Sequence, residues 1–402
     1  MGNFCPRKPI QNIPKEEEEK EEKPPSDFEP PSQNQIKDDL ITIEEDMPEE
    51  MKYAKKEILP EDNMFEDDSI IIISNEVKVG IKNIGGTSYI STVIQCLSNS
   101  KKLTDYFLYK YEPKNKNLEI SNELYKAFRY LWDYNNNNNP YSPNNLKLII
   151  NKKANDIKGF IAFIFEKLNK ELNEMKDSDI MDYNYIIKNN LEIQLVQEKV
   201  YEIFEKYYNQ NYNSIVSKLF YGISEKKLRC QTCNTTKYSY DIFSFIEFPI
   251  DKIHQFLGNS NIDIYECFQF YKKEEFLSGE NKTYCNKCKN KKDSYSSSSL
   301  ISIPNYLCII LNINEGNSYK INFNESLDLT AYVDNKNEEK KLIYNLYAVI
   351  NHKGIKSDDY IAYCRHRINN NWYLYNDSNV SKCEKKEDYL NGLSYILFYQ
   401  KN

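Results

Sequence analysis

The chain has 402 residues, a formal net charge of −7 and 40% hydrophobic residues, enough apolar content for one large core or two modest ones. The acidic balance argues against a protein that coats nucleic acid. No run of ~18 apolar residues occurs, so no membrane-spanning helix is expected, and the N-terminus lacks the apolar centre of a secretion signal. Ten cysteines in such a chain point to reduced thiols and metal ligands rather than disulfides, and to a cytoplasmic setting.

Residues 1–70 read as a disordered acidic tail, rich in Glu, Asp, Lys and Pro, with the run Glu16–Glu19. Gly2 is a candidate acceptor for myristate and Cys5 for palmitate. Arg7 and Lys8 would add attraction to anionic lipid, and together these would give peripheral membrane contact; the plain alternative is an unmodified start. The short apolar patches Leu40–Ile43 and Ile70–Ile73 fit motifs that add a strand to a partner's sheet, but such patterns are common by chance and the second fits better as the first strand of the domain.

From Val79 onward the pattern is globular. Residues 80–97, GIKNIGGTSYISTVIQCL, begin as a glycine-punctuated loop and end as a helix with Ile90, Val93, Ile94 and Leu97 on one face. Thr87 or Ser88 falls at the N-cap, where a hydroxyl can accept an orphan backbone N–H. A thiol at such a helix start would have a lowered pKa and be a good nucleophile. Helical spacing continues over Leu118–Tyr134, Gly159–Leu172 and Glu192–Tyr208, with a low-complexity loop at Asn135–Asn139. Segments 239–250 and 300–314 read as strands. Towards the C-terminus, 344–352, 359–363, 372–376 and 395–399 read as strands of an antiparallel sheet alternating in and out.

Two Cys-x-x-Cys pairs, Cys230 with Cys233 and Cys285 with Cys288, have the spacing of two metal-binding turns. Four thiolates fill a tetrahedral Zn²⁺ shell and leave no open position, so the expected zinc is structural; a nucleic-acid zinc ribbon is the rival reading. The six other cysteines are unpaired by spacing and are expected to pack as small hydrophobes.

The stretch 80–97 resembles the first signature of the ubiquitin-specific proteases, papain-like thiol deubiquitinases, at Gly80, Asn83, Gly85, Thr87, Tyr89, Gln95 and Leu97. A second family block is matched at Asp156, Phe160, Leu168, Glu171 and Leu172, with Gly159 in place of its Glu. Both cysteine pairs sit in family-like blocks, and Tyr344–Gly354, Asp358–Tyr363 and Trp372–Val380 resemble the last signatures. The resemblance covers 79–401 and implies an α+β, papain-like fold of thumb helices, β palm and zinc-tipped fingers. It also implies ubiquitin or its conjugates as partner and a monomer.

It fails where the chemistry lies. Ser88 stands where the family has its nucleophilic cysteine, and Asp359 where it has its base histidine. Asn376 fills the orienting position and Asn83 the oxyanion position. The only histidines are His254, His352 and His366; the last two each lie seven residues from 359, an odd offset that points to the opposite strand face. An aspartate, with a reference pKa of ~3.9, is a poor acceptor for a hydroxyl proton and cannot return one to a leaving amine as imidazolium does. The expected protein is therefore a catalytically inactive ubiquitin-binding or scaffolding homologue. A weakly active deubiquitinase using Ser88 and an interaction shell that no longer binds ubiquitin are the alternatives. Asp358 and Asp359 would repel the free tail carboxylate of ubiquitin, which favours conjugated chains.

Overall fold

The computed structural model describes residues 79–113, 118–133, 139–150, 154, 156–174, 197–259, 261–314, 317, 319–334, 341–353, 359–391 and 394–402. The tail with Gly2 and Cys5, the patches at 40–43 and 70–73, residues 135–138 of the asparagine loop, the first five residues of the helix expected over 192–208, Gly354 and Asp358 lie outside these.

Among the described residues seven helices come first: α1 Ser88–Ser98, α2 Lys101–Tyr109, α3 Glu119–Trp132, α4 Asn144–Ile150, α5 Ile157–Glu171, α6 Gln197–Asn211 and α7 Ile215–Phe220. The finger strands follow, β1 Gly222–Cys230 and β2 Thr236–Phe243, then β3 Ile246–Pro249, α8 Ile250–Leu257, β4 Asn261–Asp263 and α9 Ile264–Lys272. The remainder is β5 Glu275–Leu277, β6 Thr283–Cys285, β7 Asn290–Lys292, β8 Ser294–Ser302, β9 Tyr306–Asn312, β10 Lys320–Asn322, β11 Ser326–Asp328, β12 Ile343–His352, β13 Tyr360–Arg365, β14 Trp372–Asn376, β15 Asn379–Lys382 and β16 Ser394–Lys401. The expected helices at 118, 159 and 192 thus appear as α3, α5 and α6.

The central sheet runs β15-β14-β13-β12-β16-β9-β3, with β11 also on β12. A second sheet, β2-β1-β8-β5, forms the fingers, and the β6–β7 hairpin stands at their tip. β12 departs from the expected in–out alternation: Tyr344 and Leu346–Asn351 are all buried. Both faces are covered, one by α1 and the other by a cluster that includes Ile309, Leu327, Trp372 and Tyr399. A strand covered on both sides reads as a continuous apolar run.

α1 is buried along its length apart from the half-exposed Tyr89, and the side chains of its buried Ser91, Thr92, Gln95 and Ser98 donate to backbone carbonyls. β13 alternates as expected, and the inward Ala362 and Cys364 are small. Small side chains let the helix approach closely: Cys364 Sγ lies 3.8 Å from Cys96 Sγ. Cys96, Cys267, Cys308 and Cys364 are buried free thiols, as expected, while Cys383 is half-buried. Burial drives the Cys308 and Cys267 thiols upward, the latter to about 12, so they pack as hydrophobes rather than react.

α5 carries Phe160, Ile161, Ile164, Phe165 and Leu168 on its buried face. Asp156 caps it by accepting from the Gly159 N–H at 2.6 Å, and a Cβ on Gly159 would lie 3.1 Å from that same carboxylate. Glu171 closes the other end of the helical layer. Its carboxylate accepts from Ile120 N at 3.2 Å and from Ser121 N and Oγ at 2.8 Å, which satisfies the start of α3.

Gly80 is fixed by close approach. A Cβ there would sit 2.4 Å from the Ser378 carbonyl oxygen, while Ile81 N–H donates to Asp377 O at 2.9 Å. Gly80→Ala is expected to cost roughly 1–3 kcal/mol by overpacking, read from the urea midpoint. An unchanged midpoint would mean that the β14–β15 turn moves aside freely.

Candidate active site and metal centre

Ser88 opens α1 and Asp359 stands immediately before β13, so the packing of α1 on β13 brings them together. Ser88 Oγ donates to Asp359 Oδ1 at 3.4 Å and accepts from Tyr360 N–H at 3.2 Å. Ser88 is 1% exposed. The Ser88 hydroxyl is thus enclosed, with its proton directed at a carboxylate and a lone pair engaged by the backbone.

Thr87 is the N-cap of α1, but it makes no side-chain cap bond. Its hydroxyl instead accepts from Ile84 N–H at 2.9 Å, and its own N–H donates to Asn83 Oδ1 at 3.1 Å. The preceding loop draws the hydroxyl away from the helix, which corrects the sequence expectation. Gly85 and Gly86 supply positive φ at +89° and +67° in that loop. Lys147 Nζ ties it down through the carbonyls of Ile84 (2.5 Å) and Gly85 (3.1 Å).

Asn83 meets Asp377, a residue for which the sequence suggests no role. Its Nδ2 donates to Asp377 Oδ2 at 3.4 Å. Burial raises the Asp377 carboxyl above its ordinary value, with Asp359 raising it further and Asn83 and Lys353 pulling it back. Asn376 ends β14, opposite Asn379. The Asp-Ser turn after a strand, adjoining a predicted orienting position, was the readable signal for Asp377.

The histidines have other surroundings. The His352 ring packs between Tyr360 and Tyr395, each centroid at 4.8 Å. His366 is buried beside Trp132 and Tyr373. His254 faces Tyr319, and its Nδ1 lies 2.6 Å from Asn259 O.

At the finger tip, Cys230, Cys233, Cys285 and Cys288 bring their sulfurs within 4.8 Å of one another. Thiolates 2.3 Å from one tetrahedral ion lie about 3.8 Å apart. The Cys233–Cys285 sulfur distance is 3.5 Å, so the donor set fits Zn²⁺. Each pair is built as a matching turn: Asn234 and Lys289, one residue past Cys233 and Cys288, have φ of 55° and 53°. Cys288 N–H points at Cys285 Sγ at 3.5 Å. Thr235, 3.3 Å away, pulls the Cys233 thiol down to about 6, so it sheds its proton readily to a metal. Zinc held here would fix the two turns to each other and offer no open position for substrate.

A family model described as ubiquitin carboxyl-terminal hydrolase matches residues 79–399. The chain is 26% identical over 342 residues to Drosophila melanogaster ubiquitin carboxyl-terminal hydrolase Usp2, with 80% of this chain and 34% of that protein covered. It is 25% identical over 346 residues to human ubiquitin carboxyl-terminal hydrolase 2, covering 80% of this chain and 54% of that one. The chain thus spans about a third to a half of the length of these relatives. Among solved structures, a yeast SAGA DUBm chain superposes with a TM-score of 0.59 at 21% identity, over 82% of this chain and 70% of that one. A SAGA DUB module bound to ubiquitin aldehyde gives 0.58 at 20%, over 83% and 72%.

The fold is that of the ubiquitin-specific proteases, and the chain belongs to the ubiquitin carboxyl-terminal hydrolase family.

Proposed function

We propose that residues 79–401 form a ubiquitin-binding domain that no longer cleaves, a pseudo-deubiquitinase acting as a receptor or scaffold. One observation carries the reading: Ser88 Oγ and Asp359 Oδ1 lie 3.4 Å apart where the family's thiol and imidazole belong. An ionised carboxylate is a weak base towards a hydroxyl at neutral pH and returns no proton to a leaving amine. The Ser88 hydroxyl also accepts from the Tyr360 N–H, so the pair works as a hydrogen-bonded fastening between α1 and β13. Ubiquitin as ligand follows from family membership and from the solved relative bound to ubiquitin aldehyde.

Calorimetric titration with free ubiquitin and with an isopeptide-linked dimer tests this directly. Saturable binding, tighter for the dimer, is expected, together with no release of fluorophore from a ubiquitin–fluorophore conjugate beyond that of the Ser88→Ala chain. Turnover that vanishes on removing the Ser88 oxygen would make the protein a serine-dependent hydrolase. Absence of binding by the folded chain would leave a shell that has lost its ligand.

A further inference from the structure

The chain carries a net charge of −7, yet residues 282–292, which run through the β6–β7 hairpin, hold five lysines and no acid. β6 and β7 pair with Thr283 opposite Lys292, Tyr284 opposite Lys291 and Cys285 opposite Asn290. The turn between them carries Lys287 and Lys289 on either side of Cys288. The hairpin that presents two of the four clustered sulfurs thus also gathers cations at the far end of the fingers.

Lys282, Lys287, Lys289 and Lys291 are exposed and Lys292 is half-buried. Lys282 Nζ lies 3.7 Å from Asp293 Oδ1, and the other four make no ion pair among the described residues. Four thiolates around Zn²⁺ would leave two negative charges, and Asp293 supplies a third. Five lysines outweigh these, so the tip stays positive. Tyr284 is 57% exposed. Opposed residues of an antiparallel pair share a face, so its ring lies beside Lys291 on the solvent side of the hairpin.

The composition of the cluster selects among polyanions. Planar, bidentate recognition of phosphate calls for arginine, and residues 282–292 contain none; lysine ammonium groups act as undirected point charges. A single-stranded nucleic acid is held in a groove that tracks its backbone, with successive bases stacked on aromatic rings. Here the cations sit on a projecting hairpin with one exposed ring. A flat anionic surface asks only for clustered lysines, and an aromatic ring beside them settles at headgroup depth.

We propose that the β6–β7 hairpin is a docking point for an anionic lipid surface, its five lysines supplying attraction and Tyr284 entering the headgroup layer. The contact requires neither an acyl chain on Gly2 nor the Ser88–Asp359 pair.

Co-sedimentation of the full zinc-loaded chain, free of acylation, with lipid vesicles is the test. Binding is expected to vesicles that contain phosphatidylserine and not to pure phosphatidylcholine, and it should weaken as salt is raised. A lysine near such a surface is worth roughly fivefold in partition, so Lys289→Gln/Lys291→Gln should weaken binding roughly 25-fold. Tyr284→Ser should weaken it as well. Lys226→Gln/Lys237→Gln removes two exposed lysines from β1 and β2 and should change binding little. Zinc content and circular dichroism report whether each variant is folded. Should the hairpin pair lose zinc, Tyr284→Ser and the comparison of lipids on the parent chain still decide. Equal sedimentation with neutral and anionic vesicles, or equal losses from the two lysine pairs, overturns the proposal. So does a single-stranded oligonucleotide that binds with the hairpin's lysine dependence while vesicles do not, which would make the tip a nucleic-acid contact.

Discussion

The double variant Ser88→Cys/Asp359→His is expected to hydrolyse a ubiquitin–fluorophore conjugate at least roughly 10²-fold faster than the parent chain, and faster than either single variant, because restored acid–base catalysis is worth about 10²–10⁴. The single variants should gain little. A thiol facing a carboxylate has no acid for the leaving amine, and an imidazole facing a hydroxyl must work on a poorer nucleophile; members of one catalytic unit act jointly and do not add. The frame around the pair favours the gain. The two side chains already meet at 3.4 Å, the Tyr360 N–H is aimed at the position a sulfur would take, and Lys147 holds the loop before α1. One feature works against it: the Asn83 amide, the expected oxyanion donor, is held by Asp377. A folded double variant that binds ubiquitin and still fails to turn over would show that this contact, and not only the two exchanges, disables the site. Adding Asp377→Ala would then free the amide and separate the two causes.

The legible parts of this molecule are those written in local spacing. α3, α5 and α6 follow from helical apolar periodicity, and the four-cysteine cluster from two Cys-x-x-Cys pairs. The meeting of Ser88 with Asp359 was an expectation carried by family position alone, since 271 residues separate them in the chain. What spacing cannot give is pairing between distant strands. β16, the last segment, lies between β12 and β9, an order set by which faces bury against α1 and against the cluster under β12. Local signals were also missed. Segment 251–257, beyond the strands expected over 239–250, carried no assignment, yet Ile250 and Ile253 are spaced for a helix that ends at Gly258 in the left-handed region. Asp263 and Glu266 form a capping box that marks the start of α9 and can be read directly. At Gly159 the chain departs from the family pattern, which has Glu there. In the fold, the Asp156 cap lies so close that the position is taken up by local helix chemistry. Asp377 escaped because its importance depends on burial, which spacing does not report.

Removing zinc is expected to melt the finger tip while the central sheet persists. The reason lies in how little else holds the tip together. The apolar cluster at the finger base has only Val200, Phe204, Ile223 and Tyr240 as its buried members, whereas β6 and β7 carry Cys285 as their only buried residue. With so small a core, metal binding and local folding are a single equilibrium. Chelation, or Cys285→Ser, should reduce bound zinc from one per chain to none. It should also strip hydrogen-exchange protection from β1, β2 and the β6–β7 hairpin by on the order of several kcal/mol, with β12 and β16 kept. The ligands must be deprotonated, so zinc occupancy should fall as the pH is lowered, and protection of the tip should fall with it. The Thr235→Val chain, which removes the hydroxyl that lowers the Cys233 thiol, should begin to lose metal at a higher pH than the parent. Native protein that contains no metal, or fingers whose protection survives chelation unchanged, would mean that the four cysteines pack as thiols and that another force holds the two turns together.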